Sequence, residues 1–445
     1  MAFDFARELS AIEGAETLHP HGKVLQVVGM VVEASGPSAP VGDICLVCPD
    51  GSLFDRSKAI PCEVVGFREG RVLLMPYGNI RGIRPGSRVV ATRSQSVCQV
   101  GEELLGRVID GTGNPIDGKE QPRCRQKYPL YGRELNPIAR SRICEPLSTG
   151  VKAVDALLTC GKGQRMGIFA GSGVGKSVTL GMIARNTSAA VNVIALIGER
   201  GREVREFIER DLGTQGLSRS VVVVSTSEKS PLIKARGALV ATTAAEYFRN
   251  QGMDVLLLMD SVTRFAMALR EVGLAIGEPP TTKGYTPSVF AALPRLMERA
   301  GMGENGRGSI TGLYTVLVEG DDMNDPVADT ARSILDGHVV LSRALAAKNH
   351  YPAIDVLSSA SRLMTVITAA EHQRSAARMR RLLAAHKSAE DLISIGAYRP
   401  GTNPDVDEAI EKRAAIEGFL TQGVDQSWSL EGAVEALSGL FPEGN

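Results

Sequence analysis

The chain has 445 residues, long enough for two or three domains, and its 50 lysine and arginine residues balance 50 aspartate and glutamate residues. Zero net charge and an aromatic content of only 4% argue against DNA or RNA as the main partner, because proteins that bind nucleic acid usually carry a basic excess and stacking aromatics. The seven scattered cysteines, and the lack of any apolar run near the ~18–20 residues that cross a bilayer, predict a cytoplasmic protein.

The first 92 residues predict a tail followed by a β-rich domain. Residues 1–22 carry a few apolar side chains at weakly helical spacing, which is typical of a tail or a docking helix. Over residues 23–92, short β-rich runs alternate with Gly, Pro and Asp, which indicates a small all-β barrel or sandwich. Cys45 and Cys48 have no second cysteine pair or nearby histidine to complete a zinc site, so we interpret them as buried strand residues.

Residues 93–365 predict an α/β domain with a parallel sheet. Short, continuous apolar runs alternate there with helical patterns, and such runs suit strands that are covered on both faces. The four runs are residues 166–170, 191–197, 221–225 and 254–260. Residues 101–146 are rich in Gly, Pro and charge and indicate a connecting stretch with hairpins, whereas residues 366–445 have the period and composition of a C-terminal helical domain.

A phosphate-binding loop is predicted where the first of these strands ends. The stretch AGSGVGKSV, residues 170–178, matches the pattern G-x-x-x-x-G-K-[ST] except that Ala170 replaces its first Gly. Ala170 is expected at the last position of the strand, where ordinary extended backbone suffices, so the motif remains intact. The candidate nucleotide-binding residues of the loop are Gly171, Ser172, Gly173, Val174, Gly175, Lys176, Ser177 and Val178.

Charged side chains follow two further predicted strands. Asp260 ends the run DVLLLMD, and Glu199 and Arg200 come directly after VIALIG. Ligands bind outside the carboxyl ends of strands in open parallel sheets, so we expect these residues beside the loop. Lys176 is expected to contact the β- and γ-phosphates of ATP, and Ser177 to ligate Mg²⁺, with Asp260 holding the same ion through water. Glu199 is the candidate that polarises the attacking water, and Arg200 is a further candidate catalytic residue.

The sequence resembles the rotary-type hexameric ATPases along nearly the whole chain from about residue 23. The resemblance rests on long runs that include GIFAGSGVGKS, ALIGERGREVREF, LLLMDSVTRFAMALREV and HYPAIDVLSSASRLM. Other stretches, among them AEDLISIGAYRPGTNPDVDEAIE and RVLLMPYGNIRGIRPGSRVVAT, resemble the flagellum-specific export ATPases within that superfamily. Catalytic subunits of ATP synthases usually have Gly and Thr where this chain has Ala170 and Ser177.

The resemblance implies a three-part fold and a shared active site. The expected parts are an N-terminal β-barrel, a P-loop domain of the RecA type and a C-terminal helical domain. By the same resemblance, Tyr351 stacks on adenine and Arg362 is an arginine finger that acts in the neighbouring subunit of a homohexamer. From the residues alone both roles are open, since Tyr351 also suits simple packing beside Pro352 and Arg362 also suits an ion pair with an acid such as Asp355.

The resemblance also implies the partners and the location of the protein. An export ATPase of this kind binds a stator-like regulator through its N-terminus and a stalk protein in the ring centre, the latter through residues 277–287. It receives chaperone–substrate complexes and uses ATP to release substrates and deliver them to a membrane export gate. The expected location is the cytoplasm, with peripheral association at the membrane export apparatus and no nucleic-acid partner.

Other functions remained open from the sequence. The ATPase of a virulence injectisome is the nearest alternative, since EGDDMNDPVAD resembles those proteins about as well. A catalytic subunit of a rotary synthase is more remote, and a ring-shaped nucleic-acid translocase disagrees with the neutral charge and scarce aromatics. A scaffold that binds nucleotide without hydrolysis disagrees with the joint presence of Lys176, Glu199 and Asp260.

Overall fold

The computed structural model describes residues 21–49, 58–94, 96–132, 135–318, 320, 322 and 324–441. The predicted tail or docking helix over residues 1–22 therefore lies almost wholly outside the described residues. The chain divides into two compact units. One comprises the N-terminal barrel with residues 272–278, and the other comprises residues 98–271 and 279–445. Within the described part of the chain, no helix is both long and apolar enough to span a bilayer.

The predicted β-rich domain is a closed six-stranded barrel. Its strands pair in the order β1-β2-β5-β4-β3-β6, and all of the pairs are antiparallel. The barrel has its own hydrophobic core, which includes Val32, Val64 and Leu74, and Cys45 and Cys48 are buried, as predicted. The strands are β1 His21–Val28, β2 Val31–Ala34, β3 Ile44–Cys48, β4 Ile60–Arg68, β5 Arg71–Pro76 and β6 Arg88–Ser94.

The second unit is built on a nine-stranded sheet, which confirms the predicted parallel core. The order is β19-β18-β12-β17-β15-β13-β14-β8, with β16 paired to β17, and only the β18–β19 and β16–β17 pairs are antiparallel. The remaining strands are β7 Val97–Val100, β8 Arg107–Asp110, β9 Gln126–Pro129, β10 Pro146–Leu147, β11 Cys160–Gly161, β12 Arg165–Ala170, β13 Val191–Ile197, β14 Ser220–Ser225, β15 Asp254–Asp260, β16 Gly301–Met302, β17 Ser309–Leu317, β18 Gly337–Leu341 and β19 Ile354–Ser361.

Helices cover both faces of this sheet and form the C-terminal part. They are α1 Lys152–Leu157, α2 Lys176–Asn186, α3 Gly201–Glu206, α4 Gly213–Ser218, α5 Pro231–Asn250, α6 Val262–Ala275, α7 Pro287–Met297, α8 Pro326–Ile334, α9 Arg343–Ala347, α10 Met364–Ile367, α11 Ala370–Ser394, α12 Pro404–Glu411, α13 Arg413–Leu420 and α14 Leu430–Gly439. A π-helical turn, Phe207–Leu212, joins α3 to α4, and 3₁₀ turns occur at Glu102–Leu104 and Thr282–Gly284.

The C-terminal helices share one hydrophobic core with the sheet. Met379 and Leu382 of α11 and Leu437 of α14 belong to the same buried cluster as Leu157 of α1 and Ile168 of β12. A second cluster fills the opposite face of the sheet, where α5 and α7 pack. The predicted helical domain is therefore present, and it is packed continuously against the sheet.

Residues 101–146 contain a hairpin, as expected of the connecting stretch, but they also supply a strand of the sheet. Val108 and Ile109 of β8 are buried, and β8 pairs in parallel with β14 at the edge of the sheet. A hydrogen bond of 2.7 Å from Arg107 to Asp117 folds the next hairpin back onto this strand. The four-residue run RVID is too short to predict a strand from its pattern. Its pairing partner also lies more than 100 residues later in the chain, so no local feature marks the pairing.

A buried ion pair in the second unit provides a test of its packing. The guanidinium of Arg299 donates to both carboxylate oxygens of Glu246 at 2.9 and 2.7 Å, and the two side chains are only 11% and 9% exposed. Arg299→Met should lower the free energy of unfolding by about 3–5 kcal/mol, because it leaves the Glu246 carboxylate buried without its partner. Urea denaturation followed by circular dichroism measures this change.

Two further variants make the test specific. Adding Glu246→Leu to Arg299→Met should recover most of the lost free energy, since no unpaired charge then remains. Arg413→Ala, which breaks the exposed pair with Glu417, should cost about 0–1 kcal/mol. A cost for Arg299→Met as small as that of the exposed pair would contradict the argument.

Candidate active site

The candidate site lies at the carboxyl-end edge of the parallel sheet. Strand β12 ends at Ala170, β13 at Ile197 and β15 at Asp260. Because these strands run in parallel with β17 between β12 and β15, their ends lie along one edge of the sheet. The structure thereby brings together the phosphate loop, Glu199 and Asp260, as the sequence predicts.

Ala170 occupies the last position of its strand, as predicted. Its backbone is paired in register with Leu317 on one side and Leu341 on the other, and its side chain is only 1% exposed. A residue in a regular ladder has extended backbone, which alanine adopts as readily as glycine. The missing first Gly of the motif therefore has no conformational consequence here.

The loop that follows has the backbone of an anion cradle. Gly173 and Gly175 have φ of 78° and 81°, the left-handed region that favours glycine. The N–H groups of residues 173–177 have no hydrogen-bond acceptor among the residues that the structure describes. They surround the N-terminus of α2, whose partial positive charge attracts anions, so the loop fits a chain of phosphates.

The ammonium of Lys176 lies between the two predicted carboxylates. Its Nζ donates a short hydrogen bond to Oδ1 of Asp260 and lies 3.5 Å from Oε1 of Glu199. The side chains of Lys176, Glu199 and Asp260 are 13%, 15% and 4% exposed, so all three are largely withdrawn from water. Three residues from three strand ends therefore form one buried charged cluster.

Burial and charge shift the pKa values of Glu199 and Lys176 in a way that suits chemistry near neutral pH. Burial raises the pKa of Glu199 to about 7; the Lys176 ammonium opposes that shift, whereas Asp260 and a hydrogen bond with Glu203 add to it. Burial lowers the pKa of Lys176, but attraction by Asp260 and Glu199 outweighs it, and the net shift is upward. Lys176 is therefore charged while Glu199 titrates near pH 7.

Thr315 holds Asp260 in place, a role that the sequence alone does not reveal. Its Oγ1 donates to Oδ1 of Asp260 at 2.7 Å, and Thr315 itself is fully buried in β17 between β12 and β15. No motif marks a threonine inside the strand SITGLYTVL. Its role is visible only because β17 separates the two strands that carry the loop and Asp260.

Backbone hydrogen bonds hold Glu199 beside the end of β14, whereas Arg200 points away from the cluster. The N–H of Gly198 donates to the carbonyl of Ser225 at 2.6 Å, and the N–H of Ser227 donates to the carbonyl of Glu199 at 3.0 Å. These bonds fix Glu199 between β13 and β14. The side chain of Arg200 is 82% exposed and pairs with Glu203 at 3.6 Å, so it is not brought together with Lys176.

Tyr351 lies beside the phosphate loop although it is remote in sequence. A Cβ built on Gly175 would stand 3.3 Å from Cδ1 and Cε1 of the Tyr351 ring, so the ring rests against the loop. Tyr351 is also 40% exposed, which leaves part of the residue accessible to a ligand. The neighbouring residue His350 lines a cavity of about 660 Å³. Lys176, Glu199 and Asp260 do not line this cavity.

Arg362 is not part of this cluster. Its backbone N–H donates to the carbonyl of Asp336 at 2.9 Å, and its side chain is exposed. Asp355, the acid considered as its partner, instead accepts hydrogen bonds from the N–H groups of Leu357 and Ser358 at 3.0 and 3.1 Å. In the described part of the chain, no carboxylate lies within ion-pair distance of Arg362.

The donors available for a metal ion are few. The described residues contain no group of three or more His, Cys, Asp and Glu side chains that could hold a metal by itself. The exposed hydroxyl of Ser177 and the carboxylates of Asp260 and Glu199 are oxygen donors near the loop. Such a set suits Mg²⁺, which keeps several waters and takes further ligands from substrate phosphates.

Family models match three consecutive parts of the chain. Residues 24–93 match the β-barrel domain of the ATP synthase alpha/beta family, and residues 150–361 match the nucleotide-binding domain of that family. Residues 368–439 match the T3SS EscN ATPase C-terminal domain.

Known proteins match the chain over nearly its whole length. It is 52% identical to the flagellum-specific ATP synthase of Bacillus subtilis, over 97% of this chain and 98% of that protein. It is 51% identical to a type 3 secretion system ATPase of Xanthomonas euvesicatoria, over 94% of each chain. Among solved structures, the assembled ATPase EscN from the enteropathogenic E. coli type III secretion system superposes with a TM-score of 0.88 at 45% identity, covering 94% of this chain and 99% of that one. EscN in complex with its central stalk EscO gives 0.86 at 44% identity, with the same coverage.

Proposed function

Because this chain belongs to the flagellum-specific and type III secretion ATPases of the ATP synthase alpha/beta family, we propose that it is the ATP-hydrolysing motor of flagellar type III protein export. The main observation in support of ATP hydrolysis is the buried cluster of Lys176, Asp260 and Glu199. It lies beside the N–H groups of the loop at residues 173–177. In export, the motor uses ATP to release substrates from their chaperones and deliver them to the membrane gate.

The loop and Lys176 bind the phosphates of ATP in this proposal. The N–H groups of residues 173–177 donate to phosphate oxygens, and the Lys176 ammonium moves from the two carboxylates toward the β- and γ-phosphates. Ser177 ligates Mg²⁺ and Asp260 holds the ion through water. When bound, Mg²⁺ would neutralise charge on the phosphate oxygens.

Glu199 activates the water in this proposal. Water attacks the γ-phosphorus, the bond from that phosphorus to the β,γ-bridging oxygen breaks, and ADP leaves. The proton of the attacking water passes toward the Glu199 carboxylate, whose pKa of about 7 suits a base that works near neutral pH. When the Lys176 ammonium contacts the phosphates, it no longer lies beside Glu199. The Glu199 carboxylate then faces the attacking water.

Tyr351 and Arg362 supply the remaining contacts. The exposed part of the Tyr351 ring stacks on adenine, since it lies directly beside the loop that binds the phosphates. Arg362 acts on the γ-phosphate of a neighbouring copy in a homohexamer, as an arginine finger. Its exposure and its lack of a carboxylate partner in the described residues support a role outside its own chain.

Solved relatives support a proposal for the assembly and its stalk. A solved relative, EscN, is described as assembled, and in a second structure as bound to its central stalk EscO. We propose a homohexamer with a stalk protein in its centre, contacted through residues 277–287. Lys283 in that segment pairs with Asp325 at 3.1 Å, and this ion pair holds the segment beside the start of helix α8. The N-terminal tail binds a stator-like regulator, and the ring works in the cytoplasm at the membrane export gate.

The injectisome remains a second candidate because the relatives divide between the two systems. The Xanthomonas enzyme belongs to type 3 secretion, and the two EscN structures do as well. The same site chemistry serves either machine, since both would hydrolyse ATP in a ring of identical chains. Only the proteins that the ring serves differ.

The pH dependence of hydrolysis tests the role of Glu199. Since Glu199 must be ionised to accept a proton and burial raises its pKa to about 7, kcat/KM should fall as the pH drops below about 7. Glu199→Gln should bind ATP nearly as tightly but hydrolyse it roughly 10²–10⁴-fold more slowly. Glu206→Gln removes an exposed acid of the same segment and should keep the wild-type profile. Wild-type turnover by Glu199→Gln would exclude it as the base.

Mixed rings test whether Arg362 acts between subunits. Arg362→Ala should bind ATP yet hydrolyse it about 10³-fold more slowly, because the charge on the γ-phosphoryl is no longer compensated. Mixing it with Glu199→Gln protein should restore activity, since one chain supplies Glu199 and its neighbour supplies Arg362. Steady-state phosphate release measures the effect, with Arg413→Ala as the control. Persistent inactivity in rings that demonstrably contain both variants would rule out action in trans.

Genetic replacement in the source organism tests the flagellar assignment. Deleting the gene should abolish export of hook and filament proteins and stop swimming, while secretion of virulence effectors continues. A chromosomal Glu199→Gln replacement should reproduce the deletion because hydrolysis is lost, whereas Glu206→Gln should swim normally. Loss of effector secretion with intact flagella would instead assign the chain to an injectisome.

A further inference from the structure

The carbonyl of Tyr351 is held by a residue from the C-terminal part of the chain. Residues 421–428 follow helix α13, and the N–H of Gln422 in this segment donates to the Tyr351 carbonyl at 3.0 Å. Gln422 is only 6% exposed, so the bond is shielded from water. The aromatic ring beside the phosphate loop is therefore tied to a segment 71 positions later in the sequence.

The side chain of Gln422 is itself fixed by three hydrogen bonds. Its Oε1 accepts from the N–H of Lys152 at 2.8 Å, and its Nε2 donates to the carbonyls of Gly150 and Gln426, each at 2.9 Å. Both ends of the amide are engaged, and only one orientation of the amide satisfies all three bonds. Gln422 thus connects Tyr351 to the start of helix α1.

The turn that receives Gln422 is rigid. The buried carboxylate of Asp155 accepts from Oγ1 and N–H of Thr149 at 2.6 and 2.8 Å, from Oγ of Ser148 at 2.9 Å and from the N–H of Gly150 at 3.1 Å. These four bonds fix the turn that presents the Gly150 carbonyl. Gln422 therefore binds a turn whose conformation is fixed.

Two cationic side chains secure the segment around Gln422. The ammonium of Lys152 lies 5.1 Å from the ring centroid of Phe419 and 4.7 Å from that of Trp428, and it donates to the carbonyl of Gly418 at 3.2 Å. The guanidinium of Arg185, near the end of the helix that begins at Lys176, donates to the carbonyl of Val424 at 2.8 Å. The segment is thereby attached on both sides of Gln422.

We infer that Gln422 is a positioning residue that sets the affinity of the site for the adenine base through Tyr351. The inference rests on the proposed stacking of Tyr351 on adenine. Phosphate binding by residues 173–177 does not involve these contacts, because none of the bonds of Gln422 reaches the loop itself. Loosening Gln422 should therefore weaken binding of the base while leaving binding of the phosphates unchanged.

The test compares two ligands that differ by the nucleoside. For Gln422→Ala in the full-length protein, we expect the Kd of ADP to rise about 5- to 50-fold in the presence of Mg²⁺. The backbone N–H bond to the Tyr351 carbonyl is kept, but the three side-chain hydrogen bonds that fix its donor are lost. The Kd of pyrophosphate should stay within about twofold of wild type, because it needs only the loop and Lys176. Isothermal titration calorimetry measures both constants.

Matched variants separate positioning from general destabilisation. Gln373→Ala removes a glutamine whose Nε2 also donates to two carbonyls in the helical part, those of Thr365 and Thr368, but which has no bond to Tyr351. It should leave both Kd values unchanged. Lys152→Met keeps the N–H bond to Gln422 but removes the cation from the two rings, and should weaken ADP selectively and to a smaller extent. If Gln422→Ala does not fold, Lys152→Met decides the question by the same comparison.

Combination with Tyr351→Ala distinguishes the inference from its premise. If Tyr351→Ala leaves the Kd of ADP unchanged, the adenine contact itself is wrong. If Tyr351→Ala weakens ADP, then Gln422→Ala should add no further loss in the double variant, because both act on the same contact. Full additivity, equal weakening of pyrophosphate, or unchanged ADP affinity in Gln422→Ala would overturn the inference.

Discussion

The burial of three charged side chains at one edge of the sheet is the constraint on which the site depends. Removing an ion from water costs several kcal/mol, and this cost is offset only if the partners meet at contact distance. Lys176 meets Asp260 and Glu199 in this way, and Thr315 adds a further hydrogen bond to Asp260. The cluster is therefore stable only while the strands that carry it keep their register.

The sheet provides that register through its central strands. Strands β12, β17, β15 and β13 are neighbours, paired in parallel and almost fully buried, so a shift of one strand would displace apolar residues from both cores. The fold thus fixes the distance between the phosphate loop and its carboxylates. Because Glu199 is buried with them, its pKa rises toward neutral pH, which links the packing to the proposed proton transfer.

The proposed nucleotide site has separate phosphate and base halves. The phosphate half consists of residues 173–177 with Glu199 and Asp260, all from the centre of the sheet. The base half consists of Tyr351, which Gln422 ties to the C-terminal segment.

The sequence alone determined the elements that depend on local pattern and the tertiary structure decided what depends on distant partners. Residue type and hydrophobic period predict the barrel, the four buried strands, the glycine-rich loop and the tolerated Ala170. They do so because backbone preference and burial depend on neighbouring residues in the chain. The edge strand β8, Thr315 against Asp260, and Gln422 beneath Tyr351 do not, because each contact joins residues that are 55 or more positions apart. Likewise, the sequence shows the charge of Arg362. Its exposure and its separation from Asp355 are known only from the structure, in which β19 pairs with β18.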